Sequence, residues 1–118
     1  MKRLRAGVVG VGHLGQHHAR HYASLPGAVL VGVFDVEPSR AKLIADRHGV
    51  QAWTQLGDLL DNVEIVSVAA PTSAHFGAVK ACLEAGKHVL VEKPIAVTPA
   101  EARELVELAA RRGCLLQV

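Results

Sequence analysis

A chain of 118 residues, half of them apolar, has room for one buried core and not for two. The formal charge is only +2 and the basic residues, among them Arg20, Arg40, Arg47, Lys80 and Arg111, are scattered, so no basic stripe points to nucleic acid. No apolar run approaches the roughly 20 residues that would span a membrane, and Cys82 and Cys114 lack the spacing of a zinc site or a disulfide framework.

The cysteines read as two small buried apolar residues, and the expected setting is cytoplasmic, with neither nucleic acid nor membrane as a partner. The basic start, Met1-Lys2-Arg3-Leu4-Arg5, reads as solvated charge leading into a first strand from Arg5 to Val9. That strand runs directly into Gly10-Val11-Gly12-His13-Leu14-Gly15, and a helical segment follows from about Leu14 to Leu25. Strand, glycine loop and helix in that order are the context in which G-x-G-x-x-G binds a dinucleotide. Gly10 permits the tight turn, Gly12 lets the backbone approach a pyrophosphate, and Gly15 lets the helix pack closely. His13 and Leu14 complete the loop, where the helix start offers unpaired N–H groups and a favourable dipole to phosphates.

A second strand, Val29 to Phe34, ends at Asp35, twenty positions after Gly15. A carboxylate there can accept hydrogen bonds from both hydroxyls of an adenosine ribose, and it would repel a 2′-phosphate, which favours NAD over NADP. Two other readings stay open: Asp35 as a turn former at a strand end, and Arg40 as a partner for the extra phosphate of NADP. Pro38 stands in a helix's first turn, with Gly49, and later Gly86 and Gly113, placed as left-handed stops.

Further strands are read at Gln51 to Thr54, Val63 to Ala69, His88 to Val91 and Leu115 to Gln117, with Trp53 as a core or edge anchor. Thr98-Pro99-Ala100-Glu101 reads as a capping box opening a helix to Arg112, whose Glu101, Arg103, Glu104 and Glu107 form a solvated face. Near-continuous apolar strands alternating with helices predict an α/β fold: a doubly wound parallel Rossmann sheet in the order 3-2-1-4-5-6. The whole of 1–118 is then one dinucleotide-binding domain. His13, His17 and His21 recur at helical spacing, but without a cysteine or paired carboxylates nearby no metal site is expected.

Two more segments lie at carboxyl ends of strands, where open α/β sheets bind ligands: Ala69-Ala70-Pro71-Thr72-Ser73-Ala74-His75, and Glu92-Lys93-Pro94 after Ala85-Gly86-Lys87-His88. With the glycine loop they resemble the glucose-fructose oxidoreductase, inositol dehydrogenase and rhizopine-catabolism family of NAD(P)-dependent enzymes, over essentially the whole chain. The resemblance implies that Lys93 sits between nicotinamide and substrate, donating a hydrogen bond to the reacting oxygen or sharing in its proton transfer. It places Glu92 near the nicotinamide ribose, a cis peptide bond before Pro94, and Ala70, Pro71, Thr72 and His75 on the loop that passes the diphosphate and nicotinamide. His18 matches a helix histidine with a structural role.

The run from Gly12 to Arg20 and the ending Leu115-Leu116-Gln117-Val118 look like dehydrogenases that oxidise the 3-hydroxyl of UDP-N-acetylglucosamine. Family members continue into a second α/β domain that supplies substrate contacts and the oligomer interface, and that domain is absent from this chain. The implied function is the nucleotide-binding domain of an oxidoreductase moving a hydride between nicotinamide and a sugar-type hydroxyl or ketone, as a homo-oligomer. A non-catalytic NAD(H) sensor or assembly module is the alternative, since fold alone does not establish chemistry. From the residues themselves, hydride transfer needs a group for the hydroxyl proton, and a lysine shut away from water beside the cofactor suits it. Glu92 also reads as a surface partner of Lys87 or Lys93.

Overall fold

The computed structural model describes residues 3–118. Strand and helix alternate along them: β1 (Leu4–Val9), α1 (Gly15–Ser24), β2 (Ala28–Phe34), α2 (Pro38–His48), β3 (Gln51–Trp53), α3 (Leu56–Leu60), β4 (Ile65–Val68), α4 (Thr72–Glu84), β5 (His88–Val91), α5 (Pro99–Arg112) and β6 (Leu116–Gln117). The six strands form one parallel sheet in the order β3-β2-β1-β4-β5-β6, as the alternation predicts. The order reverses between β1 and β4, which leaves a crevice at their carboxyl ends.

The period of two along β1 sends Ala6 and Val8 to one face and Val9 to the other, so the sheet carries two cores. Ala6, Val8, Leu30 and Val33 pack with Ala19 and Tyr22 of α1 and Ala41, Ile44 and Ala45 of α2. On the opposite face Val66, Val68, Val89 and Val91 pack with Leu59 and Leu60 of α3, Val79, Cys82 and Leu83 of α4, and Leu105, Leu108 and Ala109 of α5. Burial on both faces is why these strands read as apolar runs without alternation. Trp53 packs against the second core, and its ring occupies the space that a side chain at Gly32 would need.

Helix ends follow the local chemistry. Gly49, Gly86 and Gly113 take φ of 64°, 78° and 66° just beyond α2, α4 and α5. Thr98 Oγ1 accepts the Glu101 N–H at 3.1 Å, the N-cap half of the expected capping box.

Several boundaries differ from the sequence reading. The five-residue α3 is too short to show a helical period, and it was not expected. Val63 is buried yet precedes β4, because its N–H turns back to the Leu60 carbonyl; a buried residue in a turn looks like strand in sequence. Leu115 falls outside β6 and is exposed, its N–H donating to His88 Nδ1 at 3.0 Å. Cys82 is fully buried, but Cys114 is only partly so, which corrects the reading of both as core residues. Glu104 is not simply solvated, since it pairs with Lys80 of α4 at 3.4 Å. Of the basic start, Met1 and Lys2 lie outside the described residues, while Arg3 donates to the Ala28 carbonyl and Arg5 pairs with Glu64.

Candidate cofactor cleft

A cleft of about 520 Å³ opens at the carboxyl ends of β1, β2, β4 and β5. The glycine loop forms one wall, where Gly10, Gly12, His13 and Leu14 line it. Gly10 has φ +87°, and a Cβ there would lie 2.5 Å from the Ala70 backbone nitrogen, so the turn and the neighbouring loop both require glycine. Gly15 lies beneath the cleft: a Cβ on it would run into the Gly10 carbonyl oxygen. Gly12 is different. A Cβ there would meet nothing nearer than Arg40 Nη1 at 3.7 Å, so no packing within the chain demands glycine at that point. Gly12 lines the cleft, and with no packed neighbour against it its backbone is approachable by a ligand.

Asp35 and Arg40 stand at one end of the cleft. Asp35 is buried: its Oδ2 accepts the Val11 N–H at 2.9 Å, and its Oδ1 accepts the Glu37 N–H at 2.9 Å with Arg40 Nη1 at 3.6 Å. The carboxylate therefore forms the turn after β2, as one reading held, and fastens the glycine loop to β2 as well. A carboxylate has about four acceptor positions, so two backbone donors leave capacity for hydroxyls.

Ala70, Pro71 and Thr72 line the floor, where α4 begins. Neither α1 nor α4 has a side-chain cap on its first N–H groups. His75, on the first turn of α4, is 2% exposed and sits between two loops, with Nε2 2.7 Å from the Ala70 carbonyl and Nδ1 2.8 Å from that of Pro94; a neutral ring donates to one of the two. Pro94 itself does not line the cleft; its carbonyl lies against His75, and the Lys93-Pro94 bond is cis.

Glu92 and Lys93 close the other end. Glu92 is a partner of neither Lys87 nor Lys93: its Oε1 accepts from His18 Nε2 at 2.5 Å. Lys93 is exposed, so this chain by itself does not supply the desolvation that a proton-handling lysine needs. Phe34 and Val36 also line the cleft and lie outside the segments singled out from sequence, while Ser73 and Ala74 fall within the segment from Ala69 to His75. Phe34 and Val36 flank Asp35 at a strand end, so the rule that ligands bind at carboxyl ends would have found them.

The chain matches, over residues 4–118, the family described as "Oxidoreductase family, NAD-binding Rossmann fold", with the glycine loop and the Glu-Lys-Pro segment both inside the match. It belongs to the Gfo/Idh/MocA oxidoreductase family. Among curated relatives it is 39% identical over 118 residues to UDP-N-acetylglucosamine 3-dehydrogenase from Acidithiobacillus ferrooxidans, covering 100% of this chain and 37% of that protein. It is 39% identical over 115 residues to an inositol 2-dehydrogenase from Rubrobacter xylanophilus, covering 95% and 33%. A solved structure of GenD2, from gentamicin A biosynthesis and in complex with NAD, superposes with a TM-score of 0.95 at 34% identity, covering 99% of this chain and 34% of that one. The chain thus spans about a third of the length of such Gfo/Idh/MocA relatives, as their NAD-binding Rossmann fold. No helix among the described residues is long and apolar enough to cross a membrane.

Proposed function

We propose that this chain binds NAD in preference to NADP, and is the cofactor-binding part of a cytoplasmic, homo-oligomeric dehydrogenase acting on a sugar or nucleotide-sugar hydroxyl. The observation that carries the reading is the cleft that runs from Asp35 past Gly12 to Lys93. The adenosine ribose lies against Asp35, whose remaining acceptor positions take its hydroxyls, while a 2′-phosphate would meet a buried carboxylate already engaged with Arg40. The diphosphate lies over Gly12, His13 and Leu14, at the start of α1, where the helix dipole favours it.

Bound there, NAD supplies a hydride acceptor. Lys93 would meet the reacting oxygen and take part in moving the hydroxyl proton. Glu92, Pro71, Thr72 and His75 shape the nicotinamide end. The names of the relatives support a polyol, sugar or nucleotide-sugar substrate. A further domain, as the length of those relatives suggests, is assigned the substrate contacts and the exclusion of water from Lys93. The presence of Lys93 on the cleft favours an enzyme over a sensor, which would need only the half from Gly10 to Asp35.

Calorimetric titration of the chain with NAD and NADP tests the reading. Binding of NAD is expected, with Asp35→Ala weakening NAD more than NADP. Absence of both heat and thermal shift at millimolar NAD overturns it.

A further inference from the structure

Four polar side chains from three elements meet behind the Lys93 end of the cleft. Tyr22 and His18 stand one turn apart on α1, Ser67 lies on β4, and Glu92 follows β5. The Tyr22 hydroxyl is 2.7 Å from Ser67 Oγ, Ser67 Oγ is 3.0 Å from His18 Nδ1, and His18 Nε2 is 2.5 Å from Glu92 Oε1. Ser67 is fully buried and Tyr22 is 9% exposed, so neither hydroxyl has ready access to water as an alternative partner.

Their donors and acceptors can be assigned by elimination. Burial pushes the Tyr22 phenol up from its ordinary pKa, against a smaller opposing effect of the Ser67 hydrogen bond, so it keeps its proton. The only side-chain partner of that O–H among the described residues is Ser67 Oγ, which therefore accepts. The Ser67 hydrogen then needs an acceptor of its own, and His18 Nδ1 is the one in reach. Nδ1 is left without a hydrogen, which puts the ring hydrogen on Nε2, facing the Glu92 carboxylate. The reverse direction would leave the Tyr22 O–H without an acceptor among the described side chains.

We infer that Tyr22, Ser67 and His18 form a one-way hydrogen-bond chain that ends on Glu92 and serves to position the Glu92-Lys93 segment against the helix that opens on the glycine loop. This rests on the reading of the cleft as an NAD site with Lys93 at its nicotinamide end. The three are positioning residues: none lines the cleft, and they act through Glu92. Because α1 starts at the glycine loop and the chain of bonds leaves α1 one turn later, the diphosphate end and the Lys93 end of the cleft share a support.

The first measurement needs no ligand. Two-bond proton–nitrogen NMR correlations of the uniformly ¹⁵N-labelled chain, with His18 identified by the signal missing from His18→Gln, are expected to show its ring hydrogen on Nε2. A hydrogen on Nδ1, whether alone or together with one on Nε2, overturns the chain of bonds.

The second compares NADH with ADP, which lacks the nicotinamide riboside. His18→Phe is expected to weaken NADH about ten-fold, the scale of one hydrogen bond to a charged group, while ADP stays within about two-fold. His18→Gln, whose amide can reach Glu92 in place of Nε2, restores most of the NADH affinity. Equal loss of both ligands, no loss, or a Gln variant as weak as Phe overturns the positioning role. A wild-type chain that binds neither ligand overturns the cofactor reading, and with it the link to nicotinamide, while the His18 spectrum still decides the direction of the bonds. Melting curves of both variants confirm that the fold is kept.

Discussion

Replacing Gly12 by alanine separates what the glycine loop does for folding from what it does for the cofactor. Gly12 is not among the positive-φ glycines, and an added Cβ would meet nothing nearer than Arg40 Nη1 at 3.7 Å. Gly12→Ala is therefore expected to fold, and to gain about 0.4–1 kcal/mol by restricting the unfolded chain. For a domain of this size that is a rise in Tm of a few degrees, at about 4–8 °C per kcal/mol. The same methyl stands where a pyrophosphate must approach the backbone, and losing one or two charge-assisted hydrogen bonds at about 1.5–3 kcal/mol each weakens NAD by about ten-fold to several hundred-fold or more. Gly10→Ala is the control. At φ +87°, with the Ala70 nitrogen 2.5 Å from the new carbon, it is expected to cost at least about 1–3 kcal/mol of stability. Calorimetry and thermal melts on the two variants give both numbers. An unchanged NAD affinity in Gly12→Ala, or a Tm loss as large as that of Gly10→Ala, would refute the reasoning.

Asp35→Ala removes the acceptor of the Val11 and Glu37 N–H groups, so a stability loss of about 1–3 kcal/mol in denaturant melts is expected beside weaker NAD binding. Burial pushes the Cys82 thiol up from 9.0 to about 12, so at pH 8 Ellman's reagent should modify Cys114 and leave Cys82 untouched until the chain unfolds. Between those two values the unfolded chain loses the Cys82 proton while the folded chain keeps it, so stability falls as pH rises above about 9, by about 1.4 kcal/mol per unit, and Cys82→Ala flattens that slope. Leu115 and Val118 expose 73% and 58% of their surface beside the edge strand β6, so weak self-association is expected in sedimentation experiments; a monomer at high concentration, unaltered by Leu115→Lys, speaks against it. With Lys93 exposed, spectrophotometric assay with NAD and polyol or nucleotide-sugar substrates should show no turnover by this chain alone.

The sequence by itself determined the sheet order, the helix stops and the places where a ligand could sit, because each depends on local signals: glycines at left-handed positions, apolar runs and crossover rules. It marked Gly10, Asp35 and Lys93, which the fold brings to one cleft. What it left undecided are relations between residues far apart in the chain. Asp35 has its turn role from a neighbour, Glu37, but its grip on the glycine loop comes from Val11, 24 positions away. Glu92 could not be separated from Lys87 or Lys93 as partners by spacing, since a carboxylate pairs with whatever packing brings to it, and packing brings His18 from 74 positions away. The strand ends misread at Val63 and Leu115 have the same origin: apolarity in sequence does not tell whether a residue pairs in a ladder, fills a turn or stays in water. Only the tertiary structure brings α1 beside Ser67 of β4 and the residue that follows β5, and so joins Tyr22, Ser67, His18 and Glu92 into one hydrogen-bonded set.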